Sequence, residues 1–305
     1  MKKEYYARGK ILITSEFIIL HGAKALAAPL TLGQKLIPLE KSKAEHLHWI
    51  AEFNDKPWFE TTINLNDFSI IETTSEEKSK HLAFMIEKLI DIEPDLRNKL
   101  FNHDVLTKLE FNPMYGFGSS STLTSLLAQW AGIDPMQYHF NISKGSGYDV
   151  ACANASKPII YQLIGDMPVV ENIDYNPPFI QNMWLIYLGK KQVSSESVSR
   201  FLNNYKSNSE DINIFNSLTD AFIQAKNIEE AGEIIQEHEN RISKILNIET
   251  LKRSRFPDLH GYVKSLGAWG GDFALLISEW NDEQLNSYLR NKNILHKYKF
   301  GAIVP

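Results

Sequence analysis

A loop rich in glycine and serine joins a strand pattern to a helix pattern in the middle of the chain. Residues 105–111 alternate between the two faces of a strand, and residues 123–130 form an apolar helical run. The residues between them, 113–122, read Pro-Met-Tyr-Gly-Phe-Gly-Ser-Ser-Ser-Thr. This order constrains the fold more than any other feature, because the backbone must leave a strand, turn sharply and begin a helix within ten residues.

The composition of this loop is typical of a phosphate site. Gly116 and Gly118 let backbone N–H groups come close to a ligand. We expect Ser119 or Ser120 to cap the helix, whose free N–H groups and dipole attract anions. The Ser120 hydroxyl can also reach a magnesium ion that accompanies a nucleotide. The lysine of an ordinary P-loop is missing, and a loop that merely caps a helix would have the same sequence.

Composition narrows the class of protein. A length of 305 residues favours two domains, and a net charge of −5 argues against a nucleic-acid or anionic-membrane partner. The expected partner is a small molecule, with the protein a monomer or a homodimer. The single cysteine, Cys152, and a charged N-terminus predict a cytoplasmic protein, and neither a membrane-spanning run nor a zinc spacing is present.

Strand and helix runs are separated along the chain, which indicates the α+β class rather than a regular βαβ repeat. The proline-containing residues 166–179 are predicted to connect two domains, 1–178 and 179–305. Further predictions are a helix over 81–92, a helix cap at Asp134 before Pro135, helices within 212–246 and a strand over 273–278.

Three other segments carry possible chemistry. Lys10 and Glu16 stand at the two ends of a short strand, where Glu16 could hold the lysine near a phosphate, although an exposed terminal lysine would fit as well. Residues 145–149, Gly-Ser-Gly-Tyr-Asp, can fix Asp149 as a proton acceptor or magnesium ligand, or only as a helix cap. The glycine-rich residues 264–273 can approach a nucleotide, or form a hairpin with Trp269 packed inward.

In this order and at these separations, the segments resemble the GHMP kinases, the family of galactokinase, homoserine kinase, mevalonate kinase and phosphomevalonate kinase. The resemblance rests on Gly9-Lys10 with Glu16, on residues 113–120, on residues 147–149 and on residues 267–271. It covers nearly the whole chain. Residues 145–151 and 157–161 are most similar to the phosphomevalonate kinase branch, with mevalonate kinase next.

The resemblance implies a two-domain GHMP α+β fold with the active site in the cleft between the domains. It also implies transfer of the γ-phosphoryl group of ATP, with Mg²⁺, to a mevalonate- or phosphomevalonate-like acceptor. Asp149 and Lys10 would be catalytic, and Ser120 and Asp149 would hold the metal. The residues that would bind ATP are Gly116, Phe117, Gly118, Ser119, Ser120 and Ser121. The residues that would line the acceptor side are Glu16, His21, Ser194, Ser195, Gly267, Gly270 and Gly271.

Some positions depart from the family pattern. Ser15 replaces a glycine, Phe17 stands where mevalonate kinases have a histidine, and Trp269 replaces a glycine in the last motif. Residues 133–148 contain no glutamate, although mevalonate kinases use one there for magnesium. These departures leave open a non-catalytic relative that binds a nucleotide or metabolite and acts as a regulator. The candidates for recognising a phosphorylated acceptor are Lys144, Lys190, Lys191 and Arg200.

Overall fold

The computed structural model describes residues 3–189, 198–199, 201–203, 205–206, 208–267, 269 and 272–305. Its strands are β1 Tyr5–Leu12, β2 Ala25–Glu40, β3 His46–Phe53, β4 Lys56–Asn64, β5 Ile70–Thr73, β6 His103–Leu109, β7 Ile159–Ile164, β8 Met167–Asn172, β9 Met183–Tyr187, β10 Tyr262–Ser265, β11 Phe273–Ile277 and β12 Lys297–Lys299. Its α-helices are α1 Glu76–Ile92, α2 Leu96–Phe101, α3 Ser119–Ala131, α4 Pro135–Ile142, α5 Tyr148–Ala153, α6 Ser209–Gln224, α7 Ile228–Leu246, α8 Leu251–Ser254, α9 Asp282–Asn291 and α10 Phe300–Ile303. The predicted α+β class is confirmed.

The central strand, loop and helix occur where the sequence predicted them, as β6 followed by α3. Helix α1 begins at Glu76, five residues before the predicted start, because two glutamates in its first turn favour the positive end of the helix dipole. The predicted helical run 212–246 is two helices, since Asn227 caps α7 by accepting a hydrogen bond from the Glu230 backbone N–H at 2.8 Å.

The chain forms two compact units. Unit 1 comprises residues 1–9, 32–113 and 117–154, and unit 2 comprises residues 10–31, 114–116 and 155–305. The expected boundary was at residue 178, whereas unit 2 also contains residues 155–178 and two earlier segments.

Residues 166–179 were expected to form only a connection, and this prediction is wrong for their first half. Strand β8 pairs antiparallel with β7, with Val170 opposite Tyr161 and Val169 opposite Gln162. Pro168 is tolerated because β8 lies at the edge of its sheet, where a missing N–H need not break a ladder. The β propensity of the paired valines therefore outweighs the proline.

Unit 1 is built on strands in the order β5-β4-β3-β6-β2, with β3 and β6 parallel and the other neighbours antiparallel. The helices α1 to α4 contribute to its core. The apolar face of α1 meets Trp49 of β3 and Leu36 of β2 there. The face is the one that the helical spacing predicts, with Leu82, Met85, Ile86 and Leu89 all buried.

Unit 2 contains an antiparallel sheet in the order β10-β11-β9-β12. Strand β11 lies inside this sheet and is buried along its whole length. A separate apolar cluster gathers around Phe17 and Phe215, and helix α6 packs against helix α7. In the parts of the chain that the structure describes, no helix is long and apolar enough to cross a membrane.

The Asp134 cap of α4 is confirmed, and it gives a direct test of local helix stability. Asp134 accepts a hydrogen bond from the Gln137 backbone N–H at 2.8 Å, and Pro135 occupies the first turn. We predict that Asp134→Ala lowers the free energy of unfolding by about 1 kcal/mol, because one helix N–H loses its acceptor. Denaturant unfolding measures the loss, and Asp134→Ser should recover most of it. An alanine variant as stable as wild type would contradict the prediction.

Candidate active site

The serines that follow Gly118 in the loop of residues 113–122 do not cap the helix, contrary to expectation. Gly118 is the N-cap, with a φ of 88° that favours glycine, and α3 begins at Ser119. The Gly118 carbonyl accepts the first helical hydrogen bond from the Thr122 N–H at 2.9 Å and a second from the Ser121 hydroxyl, also at 2.9 Å. Ser121 is therefore a buried structural hydroxyl, whereas Ser120 is exposed.

Phe117 fixes the second half of this loop in unit 1. Its side chain is completely buried and meets the ring of Phe111 edge-on, with centroids 5.8 Å apart. Thr122 adds a polar anchor by donating to the Gln34 side-chain oxygen at 2.6 Å. Because the first N–H groups of an α-helix lack partners inside the helix, those of residues 119–121 can bind an anion.

Asp149 lies in the first turn of α5 and is half-buried. The cap of this helix is Gly147, with a φ of 81°, so Asp149 is not the N-cap. One carboxylate oxygen, Oδ1, accepts from the Val150 N–H at 3.0 Å. Helix α5 packs against α3, and the Ser125 hydroxyl donates to the Asn154 side-chain oxygen at 2.8 Å between them. Unit 1 thus holds together the helices that carry Ser120 and Asp149.

Helix α4 supports the turn before Asp149, a role that the sequence did not reveal. A Cβ atom at Gly147 would lie 2.7 Å from Met136 Cε and 3.2 Å from His139 Cδ2. A larger residue would have to displace both side chains and would be strained at a φ of 81°, so a glycine is strongly favoured here. His139 is nearly buried and its Nε2 atom lies 3.4 Å from the Gly145 carbonyl oxygen.

In unit 2, two opposite charges converge on Gly116. The Lys10 ammonium donates to the Gly116 carbonyl at a long 3.4 Å. On the other side, a Cβ atom at Gly116 would lie only 2.5 Å from Asp272 Oδ2, and that carboxylate is 8% exposed. Lys10 therefore reaches the loop of residues 113–122, and Asp272 lies beside the same glycine, a contact that the sequence did not indicate.

Tyr115 anchors the first half of the loop in unit 2. Its ring centroid lies 4.6 Å from that of Tyr187 and 5.3 Å from that of Phe273. Burial raises the pKa of Tyr115 to about 12, with a smaller contribution from its hydrogen bond to Tyr298. The backbone at Gly116 is consequently fixed by the aromatic residue that precedes it.

The predicted role of Glu16 as the partner of Lys10 is wrong. Glu16 is fully buried and its carboxylate pairs with the Lys264 ammonium, which is fully buried too. Lys264 also donates to the Ser265 carbonyl at 3.0 Å. The sequence could not indicate this pair, because 248 residues separate its members.

Two further ionisable groups complete this buried cluster, which we call the Lys264 cluster (Glu16, His238, Glu239 and Lys264). His238 Nε2 accepts from the Ser15 N–H at 2.7 Å, and Glu239 Oε1 accepts from the Ser265 N–H at 2.8 Å. Burial raises the pKa of Glu16 to about 6 and that of Glu239 to about 7, although Lys264 opposes both shifts. Burial and then Lys264 hold the pKa of His238 well below its ordinary value, so its ring is neutral.

The backbone on both sides of Glu16 is left-handed. Ser15 has a φ of 63° and Phe17 a φ of 65°. Residues other than glycine rarely adopt this backbone conformation. The Ser15 hydroxyl donates to the Lys24 carbonyl at 2.6 Å, which helps to hold this turn. Glycine adopts such a left-handed conformation at the lowest cost, so Ser15 is held in it by its contacts.

Trp269 packs inward, which was one of the two readings of its segment. Its side chain is 5% exposed and belongs to the apolar cluster around Phe17 and Phe215.

His21 lies at the end of the 3₁₀ turn Ile18–His21, and its ring centroid is 5.5 Å from that of Phe201. Burial lowers the pKa of His21.

Of the remaining predicted site residues, only Gly267 and Lys144 lie within the described part of the chain. Gly267 has a φ of 64° and open space where a Cβ would be, and Lys144 is exposed. Ser194, Ser195, Gly270 and Gly271 lie outside the described residues, as do Lys190, Lys191 and Arg200. Within the described residues, no group of three or more His, Cys, Asp or Glu side chains is arranged to hold a metal ion.

The contact between Gly116 and Asp272 predicts that a methyl group added at position 116 destabilises the protein. We expect Gly116→Ala to lower the free energy of unfolding by about 1–3 kcal/mol, because the new Cβ must displace a buried carboxylate. Thermal and denaturant unfolding measure the loss. Gly301→Ala is the matched control, since its Cβ would meet only the flexible end of Ile180 at 3.3 Å. Equal stability of the two variants would contradict the expectation.

The raised pKa of Glu239 predicts a pH dependence of stability. The folded state holds this proton more tightly than the unfolded state does, so its contribution is present below the ordinary pKa of 4.5 and is lost as pH rises through about 7. His238 acts in the opposite direction, but only as pH falls below its ordinary 6.5. The nearby charges of Lys264 and Glu16 belong to the same cluster. We therefore expect the melting temperature to fall from about pH 6.5 to 8.

Replacing the carboxyl group tests this assignment. Glu239→Gln should flatten that decline in calorimetric scans, because the titrating group is removed while an acceptor for Ser265 remains. Glu233→Gln, an exposed change on the same helix, should leave the slope unaltered. A Glu239→Gln variant with the wild-type slope would show that another group titrates.

Comparison with known proteins gives a fold. No protein-family model matches the sequence, and no curated protein matches it. Solved structures do match. Phosphomevalonate kinase of Streptococcus pneumoniae, in complex with phosphomevalonate and AMPPNP, has a TM-score of 0.71 at 15% identity, over 97% of this chain and 99% of that one.

Two other structures extend the comparison. Mevalonate kinase of Methanococcus jannaschii has a TM-score of 0.69 at 17% identity, over 98% of this chain and 97% of that one. Galactokinase of Lactococcus lactis, complexed with galactose, has a TM-score of 0.66 at 13% identity, over 95% and 88% of the two chains. These proteins are GHMP kinases. From end to end, this chain therefore has the two-domain α+β fold of the GHMP kinases.

Proposed function

We propose that the protein is an ATP-dependent phosphotransferase that acts on a small-molecule acceptor, mevalonate-like or phosphomevalonate-like. The observation that carries this proposal is the contact of Lys10 with Gly116, since it supplies a cation to a phosphate loop that has no lysine of its own. The fold supports it as well, because its solved neighbours include three different small-molecule kinases.

The loop would bind the triphosphate through its backbone. The N–H groups of residues 119–121 point along the start of α3, and Gly118 gives the loop the left-handed turn that this requires. Such fixed dipoles stabilise phosphate charge without rearranging during the reaction. The Lys10 ammonium would neutralise charge that develops on the transferred group.

Asp149 would act on the acceptor. Its carboxylate takes the proton of the acceptor hydroxyl as the oxygen–phosphorus bond forms, the bond from the γ-phosphorus to the bridging oxygen breaks, and ADP leaves. One of its oxygens already accepts from Val150, which fixes the orientation of the carboxylate. A half-buried position at the start of α5 suits this role, because the group is reachable yet held.

Magnesium would be held by the Ser120 hydroxyl and the Asp149 carboxylate. The donor set fits a hard cation, since both side chains offer oxygen atoms, Ser120 is exposed and Asp149 is half-buried. When bound with ATP, the ion would neutralise charge on the phosphate oxygens.

The test is turnover with a panel of acceptors. Purified protein is given Mg²⁺-ATP with mevalonate, phosphomevalonate, homoserine or sugars, and ADP release is measured. We predict that Asp149→Asn lowers turnover about 10²- to 10⁴-fold while the affinity for ATP, measured without Mg²⁺, stays close to wild type, because the carboxylate serves the acceptor and the metal. Asp95→Asn, an exposed change in unit 1 whose side chain caps nothing, is the control.

The outcomes separate the assignments. Equal losses of ATP affinity and turnover would move Asp149 from the acceptor to the nucleotide. ATP binding without turnover on any acceptor would overturn the catalytic proposal and favour a nucleotide-binding regulator. The acceptor with the largest kcat/KM identifies the substrate class.

A further inference from the structure

We propose that the Lys264 cluster is a positioning element, which fixes the two charged groups that converge on Gly116. This inference rests on the proposed function, because it assigns those groups to the phosphate site. Glu16 and Lys264 have no exposed side-chain surface, so neither can touch a nucleotide or an acceptor. They act through the backbone segments that they hold.

The cluster forms hydrogen bonds with backbone groups as well as with side chains. His238 accepts the Ser15 N–H and Glu239 accepts the Ser265 N–H, at 2.7 and 2.8 Å. Lys264 adds a bond to the Ser265 carbonyl at 3.0 Å. Helix α7, which carries His238 and Glu239, therefore holds two backbone segments in place: the chain after β1 and the end of strand β10.

One held segment leads to Lys10. This lysine lies near the end of β1, six residues before Glu16, and its ammonium reaches the Gly116 carbonyl at 3.4 Å. The turn between β1 and the 3₁₀ helix contains the left-handed residues Ser15 and Phe17. Strained conformations of this kind persist only where surrounding contacts determine them, and Glu16 stands between the two.

The other held segment leads to Asp272. Ser265 is paired with Ala274 in the β10–β11 ladder, and the Leu266 N–H donates to the Phe273 carbonyl at 3.1 Å. Asp272 immediately precedes this paired stretch, and its carboxylate lies against Gly116. A shift of β10 would therefore move Asp272 relative to the loop.

Energetics also argue for a geometric role. Desolvation of a buried ion pair offsets much of its Coulomb attraction, so well-packed apolar side chains often replace such a pair without loss of stability. Here neither Glu16 nor Lys264 has any exposed side-chain surface, so both charges bear the full cost of desolvation. Such a pair is poorly explained as a source of stability.

The experiment compares Glu16→Gln, Lys264→Met and the double variant. The double variant removes both charges and should recover much of the stability that Lys264→Met alone loses. Its affinity for ATP, measured by calorimetry, should nevertheless fall about 10- to 100-fold, because small displacements of positioned groups cost that much. The matched control is the exposed pair Lys157–Asp174, changed to Met and Asn, which should leave affinity unchanged.

A second measurement does not depend on ATP. Hydrogen exchange in the folded double variant should accelerate in the peptides that contain residues 10–17, 114–116 and 262–267, while the core of α1 remains protected. Unchanged exchange there, or wild-type affinity for ATP in the double variant at restored stability, would overturn the inference. A wild-type protein that neither binds nor consumes ATP would overturn the proposed function instead, and the exchange pattern would still decide whether the cluster positions these segments.

Discussion

The buried ammonium of Lys264 constrains where two segments of the second unit must lie, because its charge needs a partner in the interior. A lysine in the interior is costly unless its charge is compensated, and here one carboxylate pairs with it directly while a second, Glu239, binds the adjacent backbone. Both carboxyl groups have raised pKa values, so burial outweighs the attraction of the lysine. The resulting arrangement has little freedom, since moving any one member would leave another charge unpaired in a medium that solvates it poorly.

The loop of residues 113–122 obeys a related constraint. Its two aromatic residues are anchored separately, Tyr115 against Tyr187 and Phe117 against Phe111, with Gly116 between them. The charges beside Gly116 have opposite signs, since the Lys10 ammonium reaches its carbonyl and the Asp272 carboxylate lies where a Cβ atom of residue 116 would be. Under the proposed function, a nucleotide would meet Lys10 and the free N–H groups of α3 only at contact range, because the field of a helix end falls off within its first turn.

Periodicity and turn chemistry made much of the fold predictable. The apolar spacing of α1, the Asp134 cap and the strand before the loop follow from local rules, and the structure confirms them. Strand β8 was missed because Pro168 looks like a breaker when its edge position is unknown. In the site, Lys10 could be linked to the loop through a family pattern, whereas the partner of Glu16 could not. The pair of residues 16 and 264 leaves no pattern in the neighbouring sequence, because its members are 248 residues apart. The contact of Asp272 with Gly116 likewise arises only when the chain folds.

The left-handed turn around Glu16 has a consequence for the order in which the protein forms. Its holding groups are His238 and Lys264, 223 and 248 residues away from the positions that they contact. During synthesis this turn is made well before helix α7 and strand β10, and it lacks the contacts that hold it until both have been made. Contacts of such long range also close slowly, because the loop entropy must be overcome first. The turn is thus synthesised long before it can take its final shape.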